Sequence, residues 1–516
     1  MLITSVLVTA CRQSVAKPVK IGLSRTWYCP EPAWVYSEMN CCDKASDPNS
    51  FVWGVRALDK MLVGSLRPGT TVLIAGNPGA GKTILAASIC YVNAFRGVPC
   101  LYVSLQESRE KFLWYMARLG MNFSELEEKG LFEYRDVPLI VDRAAVGHVL
   151  EDIISAVTSH GHRVIVIDSF TPIGLLVGGT VEAREVLQNF FYNLARLTKG
   201  LVVIVAEVPY GSEKIELGGI EFVADIVIML KQKVENGFIT RLMEVRKIRG
   251  APITTAEIPF TIVEGKGLVA CPPPMIEDIP APRREVKLQL PCTALEEAIG
   301  PLYPGHHVTV FYPPDGRARY LLVPLLAGFI LSNKLRTLII SYERSPEEIM
   351  DGLVEQLGEL AGDAKERLEE LVRVTSFNPA SMSLEELYAR ELQEIEEYQP
   401  LLLVFDRSDI PYLVHGTRDE HRYYMYLRNE LLMFRSKGMT TIRVLALIDE
   451  KMYRLNTSMA DIVLRLTYRR SGEQHRPRLY VWRNGRNPKV LGPAALEHCR
   501  SEVQSVIGGL LGSRVG

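Results

Sequence analysis

The sequence has 516 residues, of which 47% are apolar and 23% are charged, and its formal net charge is −1. At about 150 residues per domain, this length predicts two or three domains, and the composition excludes wholesale disorder. The near-zero charge argues against a strongly basic nucleic-acid-binding protein. No apolar run reaches the roughly 18 residues that a membrane-spanning helix needs.

Residues 1–46 form an N-terminal extension without clear periodicity, which makes it a candidate for disorder. Its opening run, residues 1–11, has no basic residue before the apolar stretch and is short for a signal peptide. The cysteine cluster Cys29, Cys41 and Cys42 lacks the paired spacing of a zinc site. We therefore expect a cytoplasmic protein without membrane attachment.

The chain contains one internal repeat, because five short segments recur in the same order at a nearly constant offset. The matching pairs are Ala57–Asp59 with Ala294–Glu296, Pro68–Gly69 with Pro304–Gly305, Tyr102–Ser104 with Ile339–Ser341, Asp168–Ser169 with Asp406–Arg407, and Val223–Val227 with Met459–Val463. The repeat predicts two domains of similar architecture.

The predicted domains are residues 47–270 and 288–492, followed by a C-terminal tail at 493–516. The segment between them, residues 271–287, is rich in proline. Proline fixes φ and removes a backbone donor, so this segment suits an extended linker.

Within the first copy, short β-branched runs alternate with helical patterns. Continuous apolar runs suit strands that are buried on both faces of a parallel sheet. Alternation of strands and helices predicts an α/β sandwich, with ligands at the carboxyl ends of the strands. The predicted strands are Thr71–Ala75, Cys100–Ser104, Val164–Ile167, Leu201–Val205 and Ile226–Leu230, and the predicted helices include Thr83–Phe95 and Val181–Thr198.

A phosphate-binding loop follows the first predicted strand, where the run from Gly76 to Thr83 fits G-x-x-x-x-G-K-[ST]. Glycines let backbone amides and the helix N-terminus face phosphates. Lys82 is expected to reach the β- and γ-phosphates of ATP, and the Thr83 hydroxyl to ligate Mg²⁺. The predicted nucleotide-binding residues are Gly76, Asn77, Pro78, Gly79, Ala80, Gly81, Lys82, Thr83 and Ile84.

A second candidate for the metal site is Asp168, which ends the apolar run 163–167. An aspartate at the end of such a strand in a P-loop domain can hold the Mg²⁺ shell. We therefore predict that Thr83 and Asp168 form the metal site.

Four further runs resemble the KaiC branch of the RecA-like ATPases: Ala57–Asp59, Leu101–Ser108, Gly219–Asp225 and Arg246–Gly250. The resemblance covers about residues 50–270 well and 290–490 faintly, and a tandem of two such domains is itself a feature of KaiC. It implies two RecA-like P-loop domains, each with a mainly parallel central sheet flanked by helices.

The resemblance also implies catalytic residues at positions 106 and 107, where the family usually carries two glutamates. This chain has Gln106 and Glu107. A glutamine can orient water but cannot accept its proton. Either Glu107 supplies the acceptor, or ATP hydrolysis is slow.

Lys247 and Arg249 match the family's K-x-R pair, which implies cations that reach the γ-phosphate of a neighbouring subunit. Catalysis would then require a homo-oligomer, with a hexameric ring favoured. The alternative is that both are solvated charges at a strand edge. Glu207 stands where the family often carries a sensor residue.

The second copy lacks an intact phosphate-binding loop, since the corresponding run is Tyr312 to Arg319. Ala318 replaces the lysine, Arg319 the threonine, and Asp315 adds a carboxylate, and each change should weaken nucleotide binding. Glu343 and Asp406 survive as counterparts of Gln106 and Asp168, while the K-x-R segment reads Val481 to Gly485. We expect an inactive second domain.

Two charged stretches of the second copy, residues 364–372 and 385–397, have the spacing of solvated helix faces. They could alternatively dock a protein partner.

The leading hypothesis is a KaiC-like regulatory or signalling ATPase that binds ATP and Mg²⁺ and acts as an oligomer. The alternative is a RadA-like accessory ATPase that binds DNA in recombination or repair. Its DNA-binding loop would be Pro209 to Gly218, where Lys214 is the only base, a poor match to phosphate binding. Autokinase activity would need a working second loop.

Overall fold

The computed structural model describes residues 50–512 except 138–142, 178–180, 213, 216–218, 236, 251–256, 273–275, 277, 315–318 and 472–473. The N-terminal extension, its cysteine cluster and, in the second copy's loop, Asp315 to Ala318 lie outside the described residues. The described helices and strands alternate along most of the chain.

The first sheet has nine strands in the order β3-β2-β4-β5-β1-β6-β7-β8-β9, parallel from β3 to β6 and antiparallel from β6 to β9. Its strands are β1 Thr70–Gly76, β2 Cys100–Ser104, β3 Phe132–Asp136, β4 Val164–Asp168, β5 Leu201–Glu207, β6 Ile226–Glu235, β7 Phe238–Ile248, β8 Glu257–Val263 and β9 Gly267–Ala270. The helices of this half are α1 Arg56–Met61, α2 Lys82–Phe95, α3 Arg109–Arg118, α4 Phe123–Glu128, α5 Arg143–His160, α6 Thr171–Val177, α7 Val181–Thr198 and α8 Ile220–Val223.

The second sheet has eight strands in the order β12-β11-β13-β14-β10-β15-β16-β17. Its strands are β10 His307–Tyr312, β11 Thr337–Ser341, β12 Val372–Ser376, β13 Leu402–Asp406, β14 Thr440–Ala446, β15 Ile462–Ser471, β16 Gln474–Arg483 and β17 Lys489–Leu491. The helices are α9 Thr293–Ile299, α10 Arg319–Asn333, α11 Pro346–Glu355, α12 Ala361–Leu371, α13 Leu384–Tyr398, α14 Glu420–Ser436, α15 Glu450–Met459 and α16 Pro493–Gly512, with short helical segments at Asp409–Pro411 and Tyr412–Gly416.

The two sheets correspond strand by strand, which confirms the internal repeat and the predicted α/β class. Each central strand is held at its start by the same contact. Asp225 accepts a hydrogen bond from the Thr71 amide at 3.0 Å, and Asp461 accepts one from the His307 amide at 2.7 Å. The chain therefore contains two mostly parallel sheets flanked by helices.

All five strands predicted in the first copy are present, whereas β3 and the antiparallel strands β7 to β9 were not predicted. Two of the missed strands, β3 and β7, carry polar side chains among their apolar residues because one of their faces is partly exposed. The described part of 271–287 contains neither helix nor strand. Residues 493–512, predicted as a tail, form α16, whose apolar face is buried in the second core. The domain bounds themselves remain predictions.

The described cysteines fall into two groups. Cys90, Cys100 and Cys271 are free and buried. Cys292 and Cys499 form a disulfide that joins the start of α9 to α16. Since disulfides persist mainly in oxidising compartments, this bond does not favour the expected cytoplasmic location, which stays a prediction. Among the described helices, none has the length and apolar character needed to cross a membrane.

A polar cluster is buried beneath the second sheet. Glu391 of α13 and Glu430 of α14 face Arg443 of β14, and the Tyr342 hydroxyl donates to Glu391 Oε1 at 2.6 Å. Burial raises the pKa of Glu391 to about 8, although Tyr342 and Arg443 act in the opposite direction. Burial and the charge of Glu391 also raise the pKa of Glu430. Tyr388 and Tyr423 complete the cluster.

This cluster predicts that stability falls as the pH rises. Glu391 has a pKa of about 8 in the folded chain and an ordinary value of 4.5 in the unfolded chain. Folding therefore favours its protonated form, and its contribution to the free energy of unfolding is complete below pH 4.5 and is lost as the pH rises to 8. The slope is at most about 1.4 kcal/mol per pH unit for one group. Glu391→Gln keeps the acceptor for Tyr342 and should flatten the pH dependence of urea denaturation between pH 5 and 8. Glu397→Gln, at an exposed position of α13, is the control and should keep the wild-type slope. A wild-type slope in Glu391→Gln would contradict the prediction.

Candidate nucleotide site

The phosphate-binding loop leaves the centre of the first sheet, because β1 lies between β5 and β6. A Cβ on Gly76 would lie 2.2 Å from the Leu230 carbonyl oxygen of β6, so only glycine fits where the loop begins. Gly79 and Gly81 have φ values of +74° and +98°, a region that side chains rarely adopt. The loop then enters α2 at Lys82. These constraints produce the strand–loop–helix geometry that wraps phosphates.

Lys82 is held inside the loop, with 7% of the residue exposed. Its Nζ donates to the Asn77 carbonyl oxygen at 3.0 Å, and the Asn77 side-chain amide donates to the Val208 and Pro209 carbonyls, each at 3.2 Å. Burial lowers the pKa of Lys82, while Glu207 and Asp168 oppose that shift. The ammonium is thus positioned where a phosphate would replace its contact with Asn77.

Asp168 and Thr83, the two predicted metal ligands, lie next to each other. Asp168 ends β4, and its carboxylate accepts hydrogen bonds from the Thr83 hydroxyl and, at 2.6 Å, from the Tyr102 hydroxyl. Burial raises the pKa of Asp168, whereas those two hydrogen bonds and the charge of Lys82 lower it. A carboxylate beside a hydroxyl offers the oxygen ligands that Mg²⁺ prefers. These residues therefore fit the expected metal ion.

Gln106 and Glu107 follow β2, on the same edge of the sheet as Asp168. The Ser104 hydroxyl accepts hydrogen bonds from the amides of Gln106 and Glu107, at 3.4 and 3.0 Å. Gln106 is exposed, and Glu107 forms an ion pair with Lys111 at 3.7 Å. Burial is the main cause of a raised pKa at Glu107, with Lys111 opposing and Asp168 adding to it.

Lys247 and Arg249 lie at the opposite edge of the sheet. The Lys247 ammonium donates to the carbonyl oxygens of Glu221, Phe222 and Ala224, at 3.1, 3.4 and 2.6 Å. Arg249 pairs with Asp225 at 3.1 Å, and Asp225 binds the start of β1. The loop leaves the other end of β1, about 17 Å away along the strand. The structure thus does not bring this pair to the loop of its own chain.

Three residues near the loop were not predicted from the sequence. Tyr102 binds Asp168 from within β2. Gln232 of β6 lies 3.7 Å from where a Cβ on Gly79 would be, and Arg241 of β7 is its cross-strand partner. Gln232 Oε1 and Arg241 Nε are buried without a hydrogen-bond partner among the described residues. In the sequence, the only signal for Gln232 and Arg241 was that each is a polar residue inside a strand. That the two residues are cross-strand partners follows only from the pairing of β6 with β7.

Glu207, the predicted sensor, ends β5 opposite Gly76. Its amide donates to the Thr171 hydroxyl at 2.8 Å, and its charge acts on both Lys82 and Asp168. The structure therefore places it at the carboxyl edge with the loop.

The equivalent edge of the second sheet is filled by ion pairs. Arg344 donates to Asp406 Oδ1 at 3.0 Å, and the Ser341 hydroxyl donates to Asp406 Oδ2 at 2.9 Å. Arg407 pairs with Glu343 and with Asp409. At the opposite edge, Arg483 is bound to the carbonyls of Ile299 and Pro301. Both surviving acids of the second copy are thus engaged by arginines.

The strand–loop–helix unit with Lys82, and Asp168 at the end of a neighbouring strand, defines a P-loop protein of the RecA type. Residues 52–274 match the family described as "ATPase: KaiC". This part of the chain is a KaiC-like P-loop domain of the RecA/RadA superfamily.

Curated relatives agree with this assignment. The chain is 24% identical to the circadian clock protein KaiC3 and 26% identical to KaiC2, both of Synechocystis, over 58% and 68% of its length. These matches cover 60% and 62% of the two relatives. A UPF0273 protein of Pyrococcus horikoshii is 26% identical over 42% of the chain and 92% of its own length.

The bond between Tyr102 and Asp168 predicts a pH effect on Mg²⁺-dependent nucleotide binding. Tyr102→Phe removes a hydrogen bond that lowers the pKa of Asp168, so more of the carboxyl stays protonated at acidic pH. Binding of a fluorescent ATP analogue with Mg²⁺ should weaken about tenfold at the acidic end of the profile and match wild type at alkaline pH. Tyr91→Phe, a buried tyrosine of α2, should leave the profile unchanged. A wild-type profile in Tyr102→Phe would argue against this role.

Proposed function

We propose that the chain is a regulatory ATPase whose first domain binds and hydrolyses ATP with Mg²⁺. The observation that carries this proposal is the buried ammonium of Lys82. It lies beside Thr83 and Asp168, at the end of a loop whose conformation requires glycines. Gly76 to Ile84 would hold the phosphates, and Thr83 and Asp168 would hold the metal ion. When bound, Mg²⁺ supplies positive charge against the β- and γ-phosphates.

In this proposal, Glu107 accepts the proton of the attacking water. A carboxylate whose pKa is raised towards the working pH is a better general base than one at its ordinary value, and Glu107 has such a shift. Gln106 would orient the attacking water without accepting its proton. Glu107 also forms an ion pair with Lys111, which makes its carboxylate a weaker base. We therefore expect slow hydrolysis of ATP.

Completion of the site requires a second subunit. Lys247 and Arg249 lie at the amino edge of the sheet, and the loop lies at the carboxyl edge. In a head-to-tail assembly of identical chains, the amino edge of one subunit meets the carboxyl edge of the next. A cation supplied in this way would stabilise the transition state only in the oligomer, for which a hexameric ring is the favoured form.

The second domain would not hydrolyse ATP and would serve a regulatory or partner-binding role. Asp406, the counterpart of Asp168, has both carboxylate oxygens occupied by Arg344 and Ser341, so a metal ion would have to displace an ion pair. The DNA-binding alternative is not favoured, since the described part of the loop at 209–218 contains one base, Lys214.

Mixing two inactive variants tests the shared site. Lys82→Ala removes the loop cation, and Arg249→Ala removes the cation from the neighbour. Each variant alone should lose at least about 90% of the ATPase rate. In an equimolar mixture, subunits that exchange create interfaces with both cations intact, so a substantial part of the rate should return.

The control for the mixing experiment is Lys266→Ala, an exposed lysine in the turn between β8 and β9, which should keep the wild-type rate. The wild-type rate per chain should also rise with protein concentration. Full activity of Arg249→Ala, or no recovery in mixtures shown to exchange subunits, would refute the shared site.

Nucleotide stoichiometry tests the assignment of a single binding domain. Equilibrium dialysis with a slowly hydrolysed ATP analogue should give one nucleotide per chain. Lys82→Ala should bind almost none, while Asp406→Asn should keep one, because Asp406 is engaged in an ion pair. Two nucleotides per wild-type chain would disprove an inactive second domain.

A further inference from the structure

The second domain contains a partly open apolar cavity of about 160 Å³ between its sheet and helices α10 and α11. Val310, Ile339 and Val404 form its floor on the sheet, and Leu326 and Phe329 of α10 form its roof. Tyr312, Arg344 and Asp406 are the only polar side chains among the 23 described residues that line it. Well-formed apolar pockets are few in a protein, so this one requires an explanation.

The cavity arises from the residues of α10. In the first domain, the equivalent helix α2 turns the small residues Ala86, Ala87 and Ala94 inward, and they are fully buried. Helix α10 instead presents large side chains such as Leu322 and Leu325, and it contains Pro324. An internal proline removes one helix hydrogen bond and bends the helix. The first half of the helix that would follow a working loop therefore stands over a space, whereas Ala327 and Ile330 of its second half are buried in the core with the sheet.

At the polar end of the cavity, the described residues offer one unpaired donor and no unpaired charge. The Arg344 side chain is 16% exposed, its Nη2 pairs with Asp406, and its Nε is buried without a hydrogen-bond partner among the described residues. The nearby Arg407 is paired with Glu343 and Asp409. An anionic ligand in the cavity would meet the Asp406 carboxylate and the Arg344 guanidinium, which already pair with each other. A neutral ligand with an accepting oxygen would satisfy the Nε–H group without that conflict.

We propose that this cavity is a small-molecule site for a neutral, mainly apolar ligand with one hydrogen-bond-accepting oxygen. The oxygen lies at Arg344, and the apolar part lies between the sheet and α10. An apolar cavity of about 150 Å³ can hold a molecule the size of benzene, so the ligand class is that of phenols and short alcohols. The site is separate from the loop of the first domain, so its ligand would act on the second domain independently of ATP.

Three probes of similar size test the assignment on the full-length protein by calorimetric titration: phenol, toluene and benzoate. Phenol and toluene should bind, and benzoate should bind at least tenfold more weakly than phenol. The double variant Arg344→Met/Asp406→Leu removes the ion pair without leaving a lone charge. It should lower phenol affinity about fivefold and leave toluene affinity unchanged.

Gly352→Leu blocks the cavity without straining the helix. Gly352 lines the cavity from within α11, and a Cβ there would approach only Arg344, at 3.9 Å. Replacing a helix glycine favours the helix, so this variant should fold, bind ATP normally and bind neither phenol nor toluene. Gly362→Leu, at an exposed position of α12 with open space around it, should bind both probes.

Three results would overturn the proposal. No binding of any probe to the wild type would mean that the cavity is closed to ligands. Benzoate affinity equal to that of phenol would refute a neutral ligand, and full binding by Gly352→Leu would place the probes elsewhere. None of these results bears on ATP binding by the first domain, which the Lys82→Ala variant tests separately.

Discussion

The central strand β1 is the constraint on which the rest of the molecule depends. Because it is paired in parallel with β5 and β6, its two ends lie at fixed and opposite edges of the sheet. The carboxyl end releases the loop at Gly76, beside Asp168 and Glu207. The amino end is tied to Asp225, which in turn holds Arg249. A strand cannot bring both edges together, so a site that needs both must use two chains.

The second domain keeps the strand arrangement of the first domain but lacks the phosphate-binding motif in its sequence. The contact between Asp461 and His307 repeats the one between Asp225 and Thr71, so the backbone arrangement persists. At the carboxyl edge, however, arginines neutralise the acids that a metal ion would need. The first half of the helix after the loop stands away from the sheet, and an apolar cavity lies between them.

The sequence predicted most of the parallel sheet, since strands buried on both faces consist of continuous apolar residues such as Val164–Ile167. It did not predict β3 or β7 to β9. In β3 and β7, partly exposed positions carry polar residues that resemble those of loops. It also treated 493–512 as a tail, although Leu496, Cys499 and Val503 are buried in the core of the second domain. Their burial depends on partners that are distant in the chain.

By itself, the sequence determined the internal repeat, the α/β class and the phosphate-binding loop. These features are set by local patterns: the order of apolar runs, the positions of glycines and the residue that follows them. Only the tertiary structure decided that the Tyr102 hydroxyl binds Asp168, that Lys247 and Arg249 lie away from their own loop, and that Arg344 pairs with Asp406. Each of these depends on strand order and on side chains brought together across the sheet, and no local pattern encodes such a distance.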